Sequence, residues 1–359
     1  MSSPLLQDLG RSAQGAPAAR SRFRDPRIEM AHGAGGQASR RLIEGLVAPL
    51  VGVSAGDVIA DAAILDVGDV SIALTADSFV VRPLRFPGGS IGDLAVNGTA
   101  NDLAVSGARP LALLVTLILE AGLPSDVLEL ELTALGEAAA RAGIRVVGGD
   151  TKVVEHGKAD GLYITTAGIG RRDPRFVLGA ARVQPGDRVL VSGPMGDHGI
   201  TVLLARGDLD LQADLRSDTR SVWPLVDRLG DAVGDGLRWM RDPTRGGVAT
   251  SLNELARDAR VSVVLDEADL PVRDEVRGAC ELLGLDPLHI ANEGQFLAIV
   301  AADAADRAFE ALRSSPGGEA AAIIGVVDAG PAATLLVKSP YGSSRIVDML
   351  VGDPLPRIC

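Results

Sequence analysis

The stretch Leu111 to Leu119 constrains the fold of this chain most, because it is apolar almost throughout and bounded on both sides by turn residues. It is too short to cross a bilayer and predicts a buried strand, which needs neighbouring layers to cover it. One layer precedes it. Ile91 to Ser106 places small and apolar residues at helical spacing, with Gly107 and Pro110 as stop signals. Another follows: Ser125 to Ala142 predicts a helix with Ser125 as N-cap after Pro124 and Gly143 past its end. Two strands are expected between Val58 and Val81, where Val70-Ser71-Ile72-Ala73-Leu74-Thr75 alternates, and further strands over Ile144–Val147 and Leu162–Ile169. The charged stretch Arg171-Arg172-Asp173-Pro174 closes a first domain near residue 180.

A second domain opens at the turn Gln184-Pro185-Gly186-Asp187, with a strand over Arg188–Ser192. Helices are expected around 198–206, 219–233, 246–258, 273–283 and 304–313, with strands near 261–265, 294–301, 322–327 and 333–337. The prediction is an α+β chain of two domains, 28–180 and 181–335, each a sheet covered by helices on one face. Residues 336–359 read as a mobile arm, because Pro354 and Pro356 deny the terminus helix or sheet pairing. Residues 1–27, rich in Arg, Ala and Ser, read as a disordered extension; an organelle presequence has a similar composition.

Charge narrows the function. Forty-seven acidic residues against 35 Lys and Arg give a formal charge of −12, and no basic stripe interleaves with aromatics, which argues against nucleic acid. No apolar run is long enough for a membrane span. The two cysteines, Cys280 and Cys359, lack metal-ligand spacing, which fits a reduced, cytoplasmic setting.

Cys359 is the final residue, and a thiol at the end of a stiff, exposed arm is well placed to act as a nucleophile or covalent carrier. An incidental surface thiol is the plain alternative. Cys280, at helical spacing with Val276, Leu282 and Leu283, reads as a core residue. The segment His32 to Ser39, with Gly35 and Gly36, suits a loop covering phosphates, although an ordinary glycine turn has the same composition. Asp61, Asp77, Asp102 and Asp150 fall where strands are expected to end or helices to begin. Each alone fits a cap or a turn. Together, in the absence of a GxxxxGK[ST] loop, they suggest a nucleotide held through shared Mg²⁺ ions. Two glycine-dense patches, Ser192 to Gly199 and Arg241 to Val248, allow close approach of backbone to a ligand. The first contains His198, which fits a catalytic or a hydrogen-bonded structural histidine equally.

The segments His32–Ser39, Ala76–Phe79, Phe86–Gly107, Gly148–Val154, Gly196–Gly199, Arg241–Gly247, Asn292–Gly294 and the ending Pro356-Arg357-Ile358-Cys359 resemble the HypE family of hydrogenase maturation proteins. That family lies within a wider group of ATP-using enzymes that includes aminoimidazole ribonucleotide synthetase, and the ending separates it from the rest. The resemblance implies a two-domain PurM-like fold with an extended C-terminal arm, and a homodimer whose first domains join their sheets. It implies ATP and Mg²⁺ bound by Asp61, Asp77, Asp102, Asp150 and Lys152 with Gly35 and Gly36, and dehydration of a carbamoyl group on Cys359. It further implies HypF as the loading partner and a HypC–HypD complex as cyanide acceptor. Glu293, just before the expected strand Gln295–Ala301, is the expected general base; a turn cap or metal ligand is the alternative, and His198 the next candidate for proton transfer. Two rivals are an ATP-dependent synthetase acting on a free small molecule and a non-enzymatic assembly scaffold.

Overall fold

The structure, a computed structural model, describes residues 23–53, 60–209, 211–352, 355 and 357–359. Residues 1–22 of the expected extension, Val58 of the expected first strand, and Pro354 and Pro356 of the arm lie outside the described residues.

In chain order the first domain comprises α1 (Gln37–Leu42) and α2 (Ala48–Leu50), joined by a π turn, then β1 (Ala63–Val67) and β2 (Val70–Phe79). A short pair β3 (Arg85–Phe86) and β4 (Gly89–Ser90) precedes α3 (Ile91–Val105), β5 (Ala108–Glu120), α4 (Ser125–Ala142), β6 (Arg145–Val154) and β7 (Leu162–Arg172). Five strands form one sheet in the order β1-β2-β7-β5-β6, antiparallel except for β5 with β6. The helix α3 lies across this sheet and beneath α4, so every residue of it is buried except Asp93 and Asp102. Its small residues make this possible: a Cβ on Gly92 would stand 2.2 Å from the Glu131 carbonyl oxygen of α4. The opposite face of the sheet carries exposed Leu74, Leu114 and Ala76 and has no layer over it among the described residues of one chain.

The second domain runs β8 (Arg188–Val191), α5 (Asp197–Ala205), α6 (Trp223–Val233), β9 (Leu237–Arg241), α7 (Gly247–Ala259), β10 (Ser262–Asp266) and α8 (Asp274–Leu283). It continues with β11 (Leu297–Val300), α9 (Ala305–Arg313), β12 (Ala322–Asp328), β13 (Thr334–Lys338) and β14 (Ser344–Ile346), forming a seven-stranded sheet in the order β14-β13-β10-β12-β8-β11-β9. Val189, Val191, Leu297 and Ile299 pack against Val248, Leu252 and Leu255 of α7. On the other face Leu190, Ala298 and Val300 pack against α6 and α9 through Leu225, Val226, Leu229, Ala308 and Leu312. Each of these buried leucines contributes on the order of 2 kcal/mol. A further core joins the domains, with Phe79, Leu94 and Leu135 meeting Ile200, Val276 and Ile290.

Several expectations are corrected. The second sheet is covered on both faces, since Val189 to Val191 of β8 and all of β11 are apolar and buried rather than alternating. Pro124, in an extended conformation, is the N-cap of α4, and Ser125 is its first helical residue. Asp77 and Asp150 lie within strands and Asp102 within a helix, not at element ends. The segment 336–359 is not all arm, because β14 pairs antiparallel with β13.

Candidate active site

The end of β2, the solvent-facing notch of α3 and the exit of β9 converge on a cluster of carboxylates. One oxygen from each of Asp61, Asp102 and Asp242 lies within 4.8 Å of the others. Thr75, on the same face of β2 as Asp77, donates to Asp102 Oδ2 at 2.8 Å. Burial, and then the charges of Asp242, Asp77 and Asp61, push the Asp102 carboxyl well above the usual range. Burial and then Asp61 and Asp77 do the same to Asp242. Asp61 is raised by burial and held down in part by Arg241, whose Nε lies 3.2 Å from its Oδ1 and which also pairs with Glu254. Buried carboxylates stacked this closely destabilise one another unless a cation enters, and an all-oxygen cluster suits a hard divalent ion. The donor set therefore fits Mg²⁺.

Glu293 lies beside this cluster at 3% exposure, and its Oε1 has no hydrogen-bond partner among the described residues. Its backbone is fixed on both sides: its N–H donates to Asp218 Oδ1 at 3.1 Å, and its carbonyl accepts from Asn101 Nδ2 at 3.0 Å. A Cβ on Gly294 would stand 1.8 Å from the Asp218 carbonyl oxygen, so only glycine permits this approach. Burial first, then Asp242, Asp218 and Asp77, hold the Glu293 carboxyl well above the usual range against the opposing charge of Arg245. Burial likewise pushes Asp218 up to about 6. On α3, Gly98 leaves room for both neighbours, since its Cβ would meet the Phe79 ring at 2.9 Å and Glu293 Oε2 at 3.7 Å.

The chain terminus docks against the residues that follow β2. The Val80 N–H donates to the Cys359 carbonyl at 3.0 Å and the Arg82 N–H to the Arg357 carbonyl at 3.3 Å. Leu355 and Ile358 enter the core shared by the two domains, and Cys359 is only 8% exposed. The expectation of an exposed arm is corrected for this state: two apolar side chains gain a core, and the backbone gains donors from residues 80 and 82. His198 is completely buried, with Nδ1 2.8 Å from Ser217 Oγ and Nε2 3.0 Å from the Ile358 carbonyl oxygen. Burial pulls its pKa down to about 4.

Asp150 and Lys152 stand apart within one chain. They lie on the exposed edge strand β6, paired with each other at 2.7 Å, and the bond from Lys152 keeps the Asp150 carboxyl below the usual range. Gly149 is required there by packing, because its Cβ would fall 1.6 Å from the Val115 carbonyl oxygen of β5. Gly35 and Gly36 are likewise used for packing: a Cβ on Gly35 would meet Arg245 at 2.8 Å, and one on Gly36 the Leu350 carbonyl oxygen at 2.2 Å. Sequence reasoning singled out Arg241–Val248 for its glycines but missed Asp242, and it missed Asp218 and Asn101. Recognising Leu237–Arg241 as a strand would have placed Asp242 at its exit.

Residues 59–172 match the N-terminal domain, and residues 184–338 the C-terminal domain, of AIR synthase related proteins. The chain is thus a two-domain AIR synthase-related protein with a PurM-like α+β fold. Carbamoyl dehydratase HypE of Azotobacter vinelandii is 47% identical over 337 residues, covering 94% of this chain and 98% of that protein. A solved HypE–HypF complex aligns with a TM-score of 0.80 at 41% identity, covering 86% of this chain and 99% of that one. HypE solved in complex with ATP aligns with a TM-score of 0.77 at 42% identity, covering 92% and 99%. The chain belongs to the HypE family of hydrogenase maturation enzymes, the carbamoyl dehydratases.

Proposed function

We propose that this enzyme uses ATP to dehydrate a carbamoyl group carried on the Cys359 sulfur, yielding a thiocyanate that supplies cyanide to the iron of [NiFe]-hydrogenase. The seating of the chain terminus carries this reading. Cys359 is hydrogen-bonded to Val80, next to Phe79, and the Phe79 ring and the Glu293 carboxylate share the space over Gly98. A terminal thiol anchored at the end of β2, the strand whose Phe79 neighbours the buried Glu293 carboxyl and whose Asp77 acts on the cation-binding cluster, has the parts this reaction needs.

A primary amide does not lose water unaided, because its oxygen leaves poorly and its N–H protons are hardly acidic. Transfer of the γ-phosphoryl group of ATP to the carbamoyl oxygen changes both properties. The C–O bond then breaks with phosphate as leaving group, two protons leave the nitrogen, and the products are S-cyanate, ADP and phosphate. Glu293 in its ionised form is the general base for the nitrogen protons, and the burial that raises its pKa makes that form a stronger acceptor. Asp61, Asp77, Asp102 and Asp242 would hold Mg²⁺, which would screen the polyphosphate charge; their positions are set by the entry to β1, β2, α3 and the exit of β9.

The reading extends to a cytoplasmic homodimer. The uncovered face of the first sheet, with Leu74 and Leu114 exposed, supports burial against a second copy. In that dimer Asp150 and Lys152 reach the nucleotide site of the partner, which accounts for their separation from the aspartates within one chain. HypF, seen with HypE in the solved complex, is the proposed source of the carbamoyl group, and a HypC–HypD complex its acceptor after conversion. Intact-protein mass spectrometry tests the reading: loading by HypF adds one carbamoyl group, and Mg·ATP then removes one water. Loss of the whole carbamoyl group, with return to the unmodified mass, would overturn it.

A further inference from the structure

His198 has no nitrogen left for proton transfer. The Ile358 carbonyl can only accept, so Nε2 carries the proton of their 3.0 Å bond and Nδ1 is bare. The bare Nδ1 in turn accepts from the Ser217 hydroxyl at 2.8 Å. Ser217 Oγ is itself oriented, since it accepts from the Thr219 N–H at 3.2 Å. One directed chain results, from Thr219 through Ser217 and His198 to the backbone of the penultimate residue. The edge of Phe86 closes the ring in, with centroids 5.5 Å apart. Burial keeps the ring neutral near pH 7, with its pKa at about 4.

We propose that His198 is a positioning residue that latches the C-terminal tail, holding Ile358 through Nε2–H so that Cys359 stays beside Phe79. The bonds that Val80, Arg82 and Arg206 give to the backbone of Arg357 and Cys359 come from more accessible groups, whereas His198 is completely buried. Withdrawal of the tail leaves a buried N–H donor without its acceptor, and that cost opposes undocking. The latch rests on the reading above for its purpose: the docked tail is the reacting state, and the released tail is the one a loading partner can reach. The glycine before α5 serves the same end, for Gly196 adopts a φ of 86° and sets His198 into the first turn of the helix.

Alkylation of Cys359 by iodoacetamide, followed by intact mass and peptide mapping on the full chain without ATP, measures undocking directly. The other thiol, Cys280, is 2% exposed. His198→Phe keeps the aromatic packing and removes the donor, and it is expected to raise the rate at Cys359 about tenfold, the loss typical of one buried hydrogen bond. His198→Gln retains a donor and is expected to react near the wild-type rate. Ser217→Ala, which frees the other ring nitrogen, is expected to give a smaller increase and decides the matter if the Phe variant does not fold. A wild-type alkylation rate in the donor-less variants, or a Gln variant as labile as Phe, would overturn the proposal. A second readout separates positioning from acid–base chemistry: on carbamoylated protein His198→Gln is expected to dehydrate, whereas a proton carrier replaced by Gln would not. Because alkylation needs no carbamoyl chemistry, failure of the latch and failure of the dehydratase reading are told apart.

Discussion

Replacing Asp242 by Asn removes one charge from the carboxylate cluster while keeping the side chain's shape. Two ionised oxygens at the 4.8 Å limit of this cluster repel by about 3.5 kcal/mol at an effective dielectric of about 20. Burial already keeps part of this charge protonated, so the gain for the cation-free protein is a fraction of that, on the order of 1–3 kcal/mol at pH 8. The pH dependence has a definite sign. Asp102, Asp242 and Glu293 all have pKa values raised in the folded state, so the folded chain holds protons the unfolded chain has lost. Stability is therefore full at low pH and falls as pH rises from the ordinary carboxylate range toward the raised values. Thermal unfolding at pH 6 and pH 8, with and without Mg·ATP, reads both effects. The wild type is expected to melt lower at pH 8 without Mg²⁺ and to regain stability on its addition. Asp242→Asn is expected to melt several degrees higher than wild type without Mg²⁺ and to lose most of the Mg²⁺ response. A variant that melts lower and keeps the full response would refute the reasoning.

Other outcomes follow from the same geometry. Cys359→Ala should bind ATP normally yet never acquire the carbamoyl mass, which intact-protein spectra would reveal. Glu293→Gln should accept the carbamoyl group and bind ATP while its dehydration slows by at least about a hundredfold, the scale of a lost general base; an unchanged rate removes Glu293 from that role. Asp102→Asn and Asp150→Asn homodimers should each be inactive, and mixing their subunits should restore part of the activity, because one site of each mixed dimer then holds both aspartates. Failure of mixing to rescue would place Asp150 outside the nucleotide site. Leu355→Ala should cost about 2–4 kcal/mol in docking and core packing together, and it should speed alkylation of Cys359.

Local periodicity made much of the fold legible. The strand over Leu111–Leu119 and the helix over Ser125–Ala142 stand close to β5 and α4 because each has one dominant pattern and clear stop residues. The strand β6 runs well past the expected Ile144–Val147, because Gly148 and Gly149 permit a close β5–β6 pairing rather than ending the strand. The strand β9 is hidden in the sequence because Arg238 and Arg241 interrupt its apolar run; Arg238 donates to the Asp235 backbone carbonyl at 3.3 Å, and Arg241 pairs with Glu254 of α7. At the site, Asp61, Asp77 and Asp102 were legible as recurring acids among small residues. Asp242 and Asp218 were not, because their role depends on a meeting of two domains that no local pattern encodes. Docking of the tail was hidden for the same reason: Leu355 and Ile358 are only two apolar residues among turn formers, and their core lies far away in sequence.

The dehydration of a carbamoyl group on Cys359 through phosphorylation of its oxygen is the centre of this account, and the fate of that oxygen tests it most directly. Protein loaded with a carbamoyl group bearing a heavy oxygen isotope, then given Mg·ATP for a single turnover, is expected to release inorganic phosphate carrying the label as the S-cyanate forms. Unlabelled phosphate, with the heavy oxygen in water or retained on the protein, would contradict it.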